Sequence, residues 1–240
     1  MRSSSASARK AVLKINYLHQ WNVGCDEASA IQKKLAATLK FIPPERKIRL
    51  VAGADVSSKK GDDRLYASVV VLRIPEMEII EFCSAMLKAE FPYLPGFLAF
   101  REVPVLCKAF EKLNNIPDAV ICDGHGIAHP RGLGLASHLG LFLELPTVGC
   151  AKNLLVGEFG AVGNERMERS ELRVNGEGAG AVLRTRTGVK PLYVSPGHLM
   201  DIGSSIRLVE ICLTRYRLPE PTRLAHQHVN SFRMEKQGKR

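Results

Sequence analysis

No apolar run in the 240-residue sequence approaches the roughly 18 residues that a membrane helix requires, so no membrane association is expected. The Ser-rich, basic start at Met1 to Lys10 is not followed by an apolar stretch of signal-peptide length. The expected location is cytoplasmic. None of the six cysteines belongs to a CxxC pair, which argues against a zinc ribbon or a disulfide framework. Several, such as Cys122 in Val120-Ile121-Cys122, read as reduced core residues. The glycine loop that begins at Gly124 lacks the GxxxxGK[ST] pattern, which argues against an NTP-binding P-loop. No internal repeat and no linker interrupt the chain. Acidic side chains are the minority, 24 against 34 Lys and Arg, and the formal net charge of +10 favours a polyanionic partner through counterion release.

The apolar patterning predicts a helix over 26–42, strands at 49–57, 65–74 and 78–87 forming an antiparallel meander, and a helical stretch to Asn114. Pro104 is expected to split that stretch, sitting in the first turn of a second helical piece. Asp118 to Asp123 reads as a buried strand, followed by the 124–134 loop, a helix to about Glu144 and a strand at 146–150. Residues 156–178 are Gly- and charge-rich and read as loop. A hairpin at 179–195, a helix at 201–215 and a last helix from Glu220 complete the chain. The fold class is α/β, one domain with a mixed sheet and helices on both faces, and loose ends near 1–10 and 232–240.

Two prolines flank the aromatic in Pro92-Tyr93-Leu94-Pro95-Gly96, and the glycine then releases the turn. This chemistry predicts a stiff hairpin tip that holds a ring outward. In a basic chain it suggests a wedge for a nucleic-acid stack. A simple Pro-rich turn capping a helix is the alternative. Asp55 lies mid-strand, where a charge is costly unless paired or metal-bound. Asp123 ends an apolar strand at the position where open α/β sheets form their ligand crevice. Glu102 opens the helix after the wedge. Such oxygen donors suit Mg²⁺, and separate buried ion pairs with Arg or Lys are the other reading. Lys152 follows a strand end and is either a phosphate-reaching ammonium or, as is commoner, a solvated lysine; His226 is a candidate proton shuttle or, as is commoner, a surface histidine; and His125 and His129 are ordinarily loop hydrogen-bonders.

Six ordered blocks then carry a resemblance over roughly Asp26 to Ala225. They are Gly53–Ser57, Phe91–Gly96 with Phe100-Arg101-Glu102, Asp123-Gly124 through Gly134, Val148–Lys152, Arg186–Ser195 and Arg217–Arg223. Together they resemble the endonuclease V family, inosine-directed nucleases of RNase H-like fold. The resemblance implies Asp55 and Asp123 as metal ligands with Glu102 as a third acidic member, and Lys152 and His226 as active-site groups. It implies Tyr93 as the wedge aromatic, Gly96, Leu98 and Gly124 beside the pocket for the flipped base, and His129 as a loop histidine near DNA. The implied partner is DNA containing deoxyinosine, cut one nucleotide 3′ of the lesion by a monomer using Mg²⁺, with Mn²⁺ as a substitute. Inosine-containing RNA as substrate and a non-catalytic inosine-binding module are the alternatives. Leu94, Cys150, Asn153 and the Gly/Ser-rich start of the 201–215 helix depart from the family pattern, and no departure removes a carboxylate.

Overall fold

Val-rich segments whose side chains alternate between two covered faces build the centre of the molecule. The computed structural model describes residues 13–59 and 61–238, so the expected loose start at 1–10 lies outside them. Strand β1 (Leu50–Ser58) pairs antiparallel with β2 (Arg64–Arg73), and β2 with β3 (Glu78–Lys88), which is the expected meander. On its other side β1 runs parallel to β4 (Ala119–Cys122), and β4 parallel to β5 (Thr147–Ala151). The sheet continues antiparallel through β9 (Leu192–Pro196), β8 (Glu177–Leu183), β7 (Arg169–Val174) and β6 (Glu158–Phe159). Among the described residues the nine strands form one sheet in the order β3-β2-β1-β4-β5-β9-β8-β7-β6.

Helices cover both faces, as expected for a mixed α/β sheet. On one face α2 (Leu98–Phe110) and α3 (Leu135–Leu143) bury Val103, Leu106, Phe110, Leu139 and Phe142 against Ala52, Ala54, Val69 and Val120. On the other, α4 (Ile202–Ile211) packs Leu208 and Val209 on Val51, Ile121 and Val148. Helix α5 (Glu220–Lys236) sets Ala225 against Val70 and Leu72. Helix α1 (Cys25–Ala36) buries Ala28 with Phe91 and Phe100.

Several expectations are corrected. Helix α2 is continuous, with Pro104 inside it. A mid-helix proline costs about 3 kcal/mol, and the apolar surface buried by Val103, Val105, Leu106, Ala109 and Phe110 outweighs that cost. Because α2 begins at Leu98, Glu102 sits a turn inside the helix rather than opening it. The 156–178 stretch holds β6, β7 and the start of β8, paired across the sheet through a buried Leu172. Helix α1 ends at Ala36 rather than at 42. Helix α5 persists to Lys236, past the expected onset of loosening at 232, while 239–240 lie outside the described residues.

One glycine positions the last helix. Val51, Gly53 and Asp55 share a face of β1, and a Cβ at Gly53 would lie 2.0 Å from the carbonyl oxygen of Pro221. Only a residue without a side chain admits the first turn of α5 there. That contact sets His226, farther along the same helix, over Asp55.

Candidate active site

Three neighbouring parallel strands deliver charged groups from their carboxyl ends. Asp55 lies within β1 directly after its parallel pairing with β4, Asp123 directly follows β4 and Lys152 directly follows β5. The Asp123 N–H donates to the Ala54 carbonyl at 3.2 Å, which holds the two acidic residues side by side. One ligand atom from each of Asp55, Asp123 and His226 falls within 4.8 Å of the others. His226 Nδ1 lies 2.7 Å from Asp55 Oδ2, and the Asn230 amide lies 3.2 Å from Nε2. Asn230 Oδ1 in turn accepts from Ser57 Oγ at 3.0 Å, so a polar chain runs from β1 through α5 and back. The Lys152 ammonium pairs with Asp123 Oδ2.

Electrostatics mark this cluster as a site under charge strain. Burial pushes the Asp55 carboxyl up to about 6, the Asp123 charge adds to the rise, and His226 and Lys152 oppose it. Glu102 is raised well above the usual carboxylate range by desolvation and then by the Asp55 and Asp123 charges. The group of three ligand atoms comprises Asp55, Asp123 and His226, so His226 rather than the expected Glu102 is the third member. A buried Asp55 carboxyl raised by burial and by the neighbouring Asp123 charge, next to an imidazole, belongs to a donor set that a divalent cation relieves, so the residues present fit a metal.

The remaining predicted residues gather around a cavity of about 170 Å³, lined by Tyr93, Leu94, Pro95, Gly96, Leu98, Gly124 and His129 together with His125, Leu133 and Leu155. Pro92 is exposed and outside this lining. Tyr93 is 72% exposed, which leaves its ring free to enter a base stack. The segment joins a strand to a helix rather than forming a hairpin tip. The Phe97 N–H returns to the Leu94 carbonyl at 3.0 Å with Gly96 at φ +77°, a type II turn with Pro95 in its favoured place. His125 Nε2 donates to the Asn153 carbonyl at 3.0 Å. His129 accepts the Arg131 N–H on Nδ1 at 3.2 Å and donates from Nε2 to the Gly96 carbonyl at 3.0 Å. Both histidines are the loop hydrogen-bonders that composition suggested.

Sequence reasoning did not single out Asn230, Leu155 or Gln32. Asn230 was detectable as the i+4 neighbour of His226 on one helix. Leu155 carried no signal beyond following Lys152. Gln32, buried on α1, shows no motif at all.

Over residues 30–227 the sequence matches the family model described as Endonuclease V. The chain belongs to the endonuclease V family. Endonuclease V of Gloeobacter violaceus is 45% identical over 224 residues, 92% of this chain and 91% of that one. The crystal structure of the Bacillus subtilis Endonuclease_V superposes with a TM-score of 0.88 at 30% identity, covering 95% of this chain and 100% of that one. A third similar structure is Ciona intestinalis endonuclease V in complex with a 24mer DNA containing an inosine followed by a ribo-adenosine. It has a TM-score of 0.78 at 26% identity and covers 88% of this chain and 98% of that one. The fold is thus RNase H-like α/β, and the chain is a metal-dependent endonuclease. Among the described residues no helix is long and apolar enough to cross a membrane.

Proposed function

We propose that this endonuclease recognises deoxyinosine in DNA and hydrolyses the phosphodiester bond one nucleotide 3′ of it, with Mg²⁺ as the working ion. The observation that carries the reading is the adjacency of two features. The Asp55–Asp123–His226 cluster is separated by a single peptide bond, between Asp123 and Gly124, from the lining of a cavity capped by an exposed tyrosine.

Asp55, Asp123 and His226 would hold the ion, with Glu102 alongside. When bound, a divalent cation supplies Lewis-acid charge to the scissile phosphate and lowers the pKa of water. The protein's own groups do the rest. Lys152 holds a positive charge against Asp123 where a phosphate oxygen would approach. Tyr93 fills the gap left by the displaced base, offsetting an unstacking cost of a few kcal/mol. Gly124 and Gly96 let backbone come close to the base edge in the cavity, and the neutral His129 holds the Gly96 carbonyl in place. An inosine mispair opens at lower cost than a normal pair, so selection begins before any contact is made.

The test is nicking of a duplex bearing one deoxyinosine, with Mg²⁺ and with a chelator. Cutting one nucleotide 3′ of inosine only in the presence of the ion is expected. An uncut inosine strand, or equal cutting in chelator, rejects the reading. The ribo-adenosine in the Ciona intestinalis oligonucleotide favours a second reading, in which a ribonucleotide 3′ of inosine is preferred. The same assay on matched strands, deoxy and ribo at that position, compares the two.

A further inference from the structure

We propose that Gln32 is a positioning residue that ties the Tyr93 wedge to the opposite wall of the cavity, and that discrimination of the lesion base depends on this tie. The inference rests on the reading of that cavity as the base pocket. Gln32 is fully buried, with 0% exposure, on a helix that contributes nothing to the cavity lining. Its Nε2 donates to the Gly96 carbonyl at 3.0 Å and to the Leu133 carbonyl at 3.3 Å. Its Oε1 accepts from Arg131 Nε at 2.6 Å. A buried amide must be bonded, and this one spends its bonds on the two walls of a single cavity, since Gly96 and Leu133 both line it.

The Gly96 carbonyl is the focus. Besides Gln32 it accepts from His129 Nε2 at 3.0 Å and from an Arg131 terminal nitrogen at 2.5 Å. Three donors therefore meet a carbonyl with two lone pairs, at the end of the turn that carries the wedge. The donors come from α1 and from the 124–134 loop, so the convergence joins three segments distant in sequence. Arg131 is held from its other side too, its guanidinium lying 4.2 Å from the Phe97 ring centroid. A Cβ at Gly96 would sit 2.9 Å from an Arg131 terminal nitrogen, at a φ of +77° that strains any L side chain. With Gln32 removed, Leu133 loses its link to the wedge and the Arg131 side chain loses one of its two acceptors. Because misplacement by about 1 Å can cost roughly 10²-fold in rate, such slack acts on recognition before it acts on folding.

The experiment uses the full chain with Gln32→Leu, which keeps the volume and removes every bond, and Gln32→Glu, which keeps only the acceptor for Arg131. Hydrogen exchange of a peptide spanning 91–98 is measured first, without DNA, and is expected to speed at least tenfold in both variants. Single-turnover nicking is then measured on duplexes that carry deoxyinosine or adenine at one position. The ratio of the two rates should fall at least tenfold, and the half-saturating enzyme concentration should rise more than the limiting rate falls. Should Gln32→Leu not fold, the same expectations apply to Gln32→Glu. Unchanged exchange at 91–98 would overturn the tie. Faster exchange with an unchanged inosine-to-adenine ratio would reduce Gln32 to a fold-stabilising role. Wild-type protein that cuts neither duplex would instead reject the reading of the site, while the exchange measurement still judges the tie.

Discussion

At the scale of single residues, the cluster makes firm demands. Asp55→Asn or Asp123→Asn should lower ion-dependent nicking by about 10²–10³-fold, the scale of losing one preorganised electrostatic group, while DNA affinity changes little. A thermal melt checks the metal assignment directly. Mg²⁺ or Mn²⁺ should raise the wild-type Tm, because binding to the folded state alone stabilises it, and should leave Asp55→Asn unmoved. An equal rise in both would remove Asp55 from the ion site. His129 offers a test in pH. Burial, and after it the Arg131 charge, holds its ring down to about 4 from 6.5 against the opposing Gly96 hydrogen bond, so between those values the unfolded chain binds the proton and the folded chain does not. Stability from His129 is complete above about 6.5 and is lost as the pH falls towards 4. Urea midpoints of wild type and His129→Gln at pH 7 and pH 4.5 should converge at the lower value, and parallel curves would contradict it. Asp55, Asp123 and Tyr93 were legible because their settings are unusual, a charge within or just past an apolar strand and a ring between two prolines, whereas His226 on an ordinary polar helix took its role from the family resemblance. Gln32 was not legible, because a lone amide on a helix looks solvated until its partners from 64 and 101 residues away are placed around it.

At the scale of elements, the wedge turn and the first turn of α5 carry the function. Tyr93→Ala should weaken binding to an inosine duplex by about 1–3 kcal/mol, one stacking contact, with a smaller effect on an unmodified duplex. Equal losses on both would mean that Tyr93 is not a wedge. Gly53→Ala should cost about 1–3 kcal/mol or more through overpacking against Pro221, and should depress nicking beyond what stability explains, since α5 carries His226. Calorimetry and nicking on the same sample separate the two effects. The meander and α3 could be read from their periodicity. The β6–β7 pair could not, because its strands show little apolar alternation and gain their order from pairing with β8. Pro104 misled for the opposite reason: local propensity was overruled by the apolar face that α2 buries.

At the scale of the whole molecule, the formal net charge of +10 should appear as salt dependence. The logarithm of affinity for a duplex without inosine should fall linearly with the logarithm of salt concentration, by about 0.9 for each phosphate neutralised. A flat line would show that the excess of Lys and Arg takes no part in binding. Charge and class were available from composition, but the strand order was not. Nothing in the sequence spacing says that β1, β4 and β5 lie side by side with their carboxyl ends together. The order of assembly follows from Gly53. The first strand of the sheet keeps a bare patch for the last helix of the fold, and His226 arrives only with that helix. The two aspartates meet through neighbouring strands alone, whereas the third member of their group joins them only when α5 seats on that bare patch.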